Sequence, residues 1–164
     1  MDAIEWLERS VDEFNALSQL ERSAPMHFSL LWSLFEAKAL GASGSARTIP
    51  KWAHDLNHQG KLNADAFTPA IAHFKERHFS NGQLTSNFDG LNIRKNDNRT
   101  LVEAVISGKN VDPTDCAVAL FIIIYRLRNN YFHGSKWAYN LRDQLENFTA
   151  ANESIMAVFD MSQS

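Results

Sequence analysis

Residues 117–124 read Ala-Val-Ala-Leu-Phe-Ile-Ile-Ile, an apolar run that offers no polar side to water. A helix that is apolar all round must be enclosed by other elements, so the chain is expected to wrap one central helix. Its start is written just upstream. Asp112 can cap the first turn, Pro113 suits the first helical position, and Asp115 places negative charge where the helix dipole favours it. The run is far too short to cross a bilayer and marks a core instead.

The remaining periodicity is helical too. Ile4, Leu7, Val11, Phe14 and Leu17 recur at steps of three and four, which predicts one amphipathic helix from Asp2 to Glu21. Ser23, Ala24 and Pro25 are expected to break it, with Pro25 opening a second helix that carries Phe28, Leu31, Trp32, Leu34, Phe35 and Leu40. Glu36 lies in that greasy stretch and needs a cationic or hydrogen-bonding partner. Shorter helices are predicted from Pro50 to His58, from about Ala64 to His78 and from Thr100 to Ser107, the last closed by Gly108. The final helix is predicted from Trp137, with Leu141, Leu145, Phe148, Ile155 and Phe159 as its apolar stripe and Asn152 as a polar residue on that seam. No convincing strand is read. The expected architecture is a single all-α helical bundle spanning residues 1–164.

Composition narrows the class. The 164 residues are 45% hydrophobic and 21% charged, enough for one domain with a real core. A net charge of −3 argues against a protein that coats nucleic acid along its length, yet permits a small basic cleft. The single cysteine, Cys116, cannot form an internal disulfide and reads as a small buried hydrophobe. With an acidic, amphipathic beginning and no secretory signal pattern, the expectation is a soluble cytoplasmic protein that does not enter membranes.

Three stretches invite chemistry and yield little. Gly41–Ser45 lacks the Gly-Lys-Ser/Thr ending of a phosphate loop. His54 and His58, four apart, share a helix face, but the zinc-protease pattern requires Glu where Asp55 stands. His73 and His78 are not fixed nearby, so no metal or other cofactor is expected. Residues 80–98 form the least regular part, anchored by Phe79, Leu84, Phe88, Leu91 and Ile93, with Asn81-Gly82 as a possible hairpin turn. A loop this long is functional or mobile. Its Arg94, Lys95 and Arg99 either face a phosphate or are simply solvated.

The end of the central helix is different. Arg128, Asn129, Asn130 and His133 fall within six residues, and such groups are costly beside an apolar helix unless they satisfy one another or a ligand. On a continuous helix His133 shares a face with Asn129 and Asn130, whereas Arg128 is roughly 140° away at about 3.6 residues per turn. Either Arg128 curls toward His133, or the two meet across a two-fold axis. An imidazole can exchange protons near neutral pH, and a guanidinium can hold a phosphate and stabilise charge that builds up in transfer. Together they are a workable minimum for cutting RNA without metal. Arg126, Lys136 and Arg142 add positive charge locally, with Arg126 and Lys136 as candidate phosphate contacts. The same cluster also has a structural reading, in which Arg128 pairs with Glu36, the two asparagines bond helix ends, and His133 caps the last carbonyls.

The segment Tyr-Arg-Leu-Arg-Asn-Asn-Tyr-Phe-His-Gly-Ser-Lys, residues 125–136, resembles the motif of HEPN domains, especially the Apea-like branch. Phe28 to Leu40, with Trp32 and Glu36, is similar to an earlier helix of that branch. The resemblance implies an α-helical domain that dimerises through the motif region. It also implies a metal-independent ribonuclease of toxin–antitoxin, antiphage or RNA-processing systems, leaving 2′,3′-cyclic phosphate ends. By that resemblance Arg128 and His133 would be catalytic, with Asn129 the accompanying polar residue; Asn130 and Glu36 are read as supporting residues, and a separate packing hypothesis has Glu36 orient Arg128. The expected partners are RNA, a second copy and an antitoxin or other regulatory protein. Non-catalytic RNA- or nucleotide-binding and protein-interaction modules share the same likeness.

Overall fold

The computed structural model describes residues 2–133, 141 and 143–163. In these the chain is an all-α bundle built on α8, Pro113–Phe132. The Asp112 carboxylate accepts a hydrogen bond from the Asp115 N–H at 2.9 Å, and Pro113 occupies the first turn, where its missing N–H costs nothing. Every residue from Ala117 to Ile124 is buried. Phe121 is the hub. Its ring lies 4.9 Å from Phe35, 4.7 Å from Trp52 and 5.6 Å from Phe67, centroid to centroid.

Around α8 stand α4 (Thr48–His58), α5 (Thr68–His78) and α7 (Arg99–Ile106), while α3 (Gln19–Ala39) packs along α9 (Leu145–Gln163). A 3-10 turn at Ala64–Phe67 precedes α5 and sends Phe67 into the core. Phe28 of α3 meets Phe148 of α9 at 5.2 Å. Among the described residues no helix is long and apolar enough to cross a membrane.

The N-terminal region differs from the expected single helix. It forms α1 (Ala3–Ser10) and α2 (Asp12–Asn15), separated where Val11 turns extended, and α3 starts at Gln19. The cause is capping. Ser18 and Glu21 close a capping box, the Ser18 Oγ accepting from the Glu21 N–H and the Glu21 carboxylate from the Ser18 N–H. This fixes the start of α3 upstream of Pro25, which then sits inside the helix with its ring buried. Burial of that ring and the strong cap together offset the hydrogen bond that proline cannot donate.

The irregular segment contains more order than its sequence implies. Phe79–Ser80 and Gln83–Leu84 form a minimal antiparallel hairpin, a departure from the strandless expectation. Asn81 and Gly82 both adopt positive φ, 51° and 75°, as a two-residue turn of this hand requires. Then come α6 (Ser86–Gly90) and a 3-10 turn at Lys95–Asp97. Phe88, Leu91 and Ile93 anchor this segment in the core. The expected start of the last helix at Trp137 lies outside the described residues.

Candidate functional site

The last two turns of α8 carry the polar cluster, and the structure divides its members. Arg126 is buried. Its Nε donates to the Leu91 carbonyl at 3.3 Å, and its guanidinium sits 3.4 Å from the Asp97 carboxylate. Arg126 thus ties residues 91–97 to α8, and it also lines the cleft that holds His133. Asn130 works beside it, its amide donating to the Gly90 and Leu91 carbonyls at 3.1 and 3.2 Å. Those carbonyls lie at the end of α6, where no further turn of helix supplies donors.

The expected pairing of Glu36 with Arg128 is corrected. Its carboxylate accepts from the Trp32 indole N–H at 3.1 Å and the Gly44 N–H at 2.9 Å, and makes no pair with Arg128. Gly44 is there for room, since a Cβ at that position would fall 2.6 Å from Glu36 Oε1. The partner that Glu36 needs is thus a backbone donor from the Gly41–Ser45 loop and a neighbour one turn back.

Arg128 turns along its own helix. It donates to the Asn129 side-chain oxygen at 3.0 Å, and its guanidinium lies 5.3 Å from the centre of the Phe132 ring. Its Nε is shielded from water and has no hydrogen-bond partner among the described residues. Phe132 remains 57% exposed, an unusual degree for a ring at the end of a core helix. Tyr131 faces inward onto Phe148, and burial pushes its phenol above the ordinary value against the opposing effect of a hydrogen bond with Ser29.

His133 ends the helix. Its N–H donates to the Asn129 carbonyl at 3.1 Å, and its side chain is exposed. It opens on a cleft of about 480 Å³ lined also by Asp89, Asn92, Arg94, Arg99, Arg126 and Asn130. Arg94 and Arg99 line this cleft with His133, and Arg128 does not. Arg99 is committed to Glu103 at 2.7 Å and to the Ile93 carbonyl at 3.2 Å. Arg94 is exposed and its guanidinium has no partner among the described residues, leaving it available to an anion. Lys136 and Arg142 lie outside the described residues.

Asp89 and Asn92 were not singled out by sequence. The available signal was their setting in a long turn-rich segment, and Asn92 indeed takes a left-handed φ of 54°. The scattered histidines do not converge; among the described residues no three His, Cys, Asp or Glu side chains come together as metal ligands. His73 instead bonds Asn147 at 2.8 Å. Cys116 is half-buried in the first turn of α8, and burial pushes its thiol up. The chain matches no known protein family, no curated protein and no solved structure.

Proposed function

We propose that this chain is a metal-independent endoribonuclease of the HEPN type, acting as a homodimer. The observation that carries the reading is how the motif divides at the end of α8. His133 opens into a cleft edged by arginines, while Arg128 keeps a shielded, unpaired Nε beside the exposed Phe132. Two copies joined over this end would cover Phe132 and bring the Arg128 of one chain toward the His133 of the other.

In that arrangement one His133 takes the proton from a 2′-hydroxyl, and the oxygen attacks the adjacent phosphorus. The bond from phosphorus to the 5′-oxygen breaks, and that oxygen takes a proton from the second His133. The products are a 2′,3′-cyclic phosphate and a 5′-hydroxyl. Arg128 stabilises the phosphoryl charge that builds up, and Arg94 holds the neighbouring backbone. Such an activity fits toxin–antitoxin or antiphage defence, with an antitoxin or other regulatory protein restraining it.

A second reading is a binding module for RNA or nucleotides that performs no chemistry. It is favoured by the structural commitments of Arg126 and Asn130, and by the absence of Arg128 from the cleft within one chain. One experiment separates the two. Purified protein is given RNA in excess chelator, with Arg128→Ala and His133→Ala prepared identically and all three sized by sedimentation. Cleavage to cyclic phosphate ends, reduced about 100-fold or more in each variant while dimers persist, is the expected result. RNA bound but left intact would select the binding module.

A further inference from the structure

A separate surface lies away from the α8 motif. Helix α9 packs against both α3 and α5, yet α3 and α5 make little contact with each other. The gap above α9 is a groove of about 1120 Å³. Its α3 wall presents Leu20, Ser23, His27 and Leu30, spaced at three and four residues, and Leu20 and Leu30 are 67% and 73% exposed. Its α9 floor presents Glu146, Thr149, Glu153 and Met156 at the same spacing. Two exposed stripes of helical period bordering one trough are what a third helix would pack into.

The charge of this groove is one-sided. Among the described residues, Glu76, Glu146 and Glu153 line it without a salt bridge or side-chain hydrogen bond, and no Lys or Arg is among its lining residues. At its base Asn152, only 8% exposed, donates to the Ala24 carbonyl at 3.1 Å while its own side-chain oxygen is buried without a partner among the described residues. That orphaned acceptor marks where a donor is missing.

We propose that the groove docks a basic amphipathic helix from a partner protein. The apolar side of that helix rests on Leu20, Leu30 and Met156, its Lys or Arg side chains reach the three carboxylates, and a polar donor approaches Asn152. A second copy of this chain is a poor occupant, because two such grooves face to face would oppose carboxylate to carboxylate. The inference is independent of the nuclease reading and survives its failure.

The test uses the full chain and a fluorescent synthetic helix of about five turns, with Leu at a three-and-four spacing and Lys elsewhere. Its controls are the same Leu pattern with Glu in place of Lys, and a scramble of the Lys–Leu sequence. Anisotropy is expected to show at least tenfold tighter binding of the basic amphipathic helix than of either control, weakening with salt. Leu30→Glu and the pair Glu146→Lys with Glu153→Lys are each expected to lower that affinity at least tenfold. These positions are exposed, and unchanged circular dichroism would show that the variants fold. Equal affinity for the scramble, no binding at all, or binding undiminished in the variants would overturn the proposal. So would a wild-type dimer in sedimentation that Leu30→Glu disperses, which would make the occupant a second copy.

Discussion

Helix α8 contains two regions that are held in place by opposite means. From Ala117 to Ile124 it is positioned by packing alone, with rings of Phe35, Trp52 and Phe67 gathered on Phe121. From Arg126 to His133 it is positioned by directed polar bonds to the segment between Gly90 and Asp97. The first region tolerates no polar group, and the second uses Arg126 and Asn130 as fasteners. What remains unfastened there, Arg128 and His133, is what a site has available. Polar residues at a helix end therefore identify a site only after those that hold the structure are subtracted.

The comparison can be broken at its apolar side first. Phe121→Ala removes a fully buried ring from the hub and is expected to cost about 4 kcal/mol, read as a drop in the denaturant midpoint. A loss below about 1 kcal/mol would mean that the rings around it collapse into the space, and that packing there is looser than the geometry indicates.

His78 sharpens the contrast, because it is a polar side chain held as if it were apolar. It is 1% exposed, stacked 5.9 Å from Phe74 and edge-on to Phe88 at 6.1 Å, with neither ring nitrogen bonded. Burial, reinforced by the charge of Arg77 and by His73, brings its pKa from 6.5 down to about 4. The fold holds the neutral ring while the unfolded chain takes up a proton first. Stability is therefore complete above pH 6.5 and falls as the pH drops toward 4, by about 3 kcal/mol in all. In His78→Phe this part of the acid sensitivity should vanish. A melting temperature that declines with acid just as steeply in the variant would assign the loss to other groups.

The smallest effect is expected at the fasteners. Arg126→Met keeps the stem but removes the partner of Asp97, which retains the Arg94 N–H at 2.8 Å. The expected cost is about 2 kcal/mol, accompanied by faster amide exchange between residues 91 and 97. Unchanged exchange would show that the apolar anchors Leu91 and Ile93 hold the segment unaided.

Much of this was legible in sequence, and the limits have physical reasons. The all-round apolar run announced α8, and Asp112 with Pro113 announced its start, since both signals are local. Phe88, Leu91 and Ile93 were expected to anchor their irregular segment, and they are buried. Pro25 misled because a proline is a local breaker, whereas the Ser18 cap and burial of the ring outweighed it. The partners of Arg126 and Glu36 were not foreseen, for another reason. Asp97 and Gly44 are brought to them by chain folding, and no periodicity along a helix records which loop will return to it. Arg94 and Arg99 stood between two readings for the same cause. Their nearness to His133 is set by the carbonyl bonds of Asn130 and Arg126, which involve backbone and leave no mark in the partner's sequence.

Those carbonyl bonds have a consequence for how such a cleft can change. Asn130 and Arg126 grip Gly90 and Leu91 by main-chain oxygens, which every amino acid possesses. The side chains that face the cleft from this segment, Asp89, Asn92 and Arg94, are exposed, and of these only Asn92 also reaches a gripped oxygen, the Gly90 carbonyl at 3.4 Å. Mutation can therefore rewrite the chemistry of the rim while the clasp beneath it stays closed, and a new preference could arise there without a new fold.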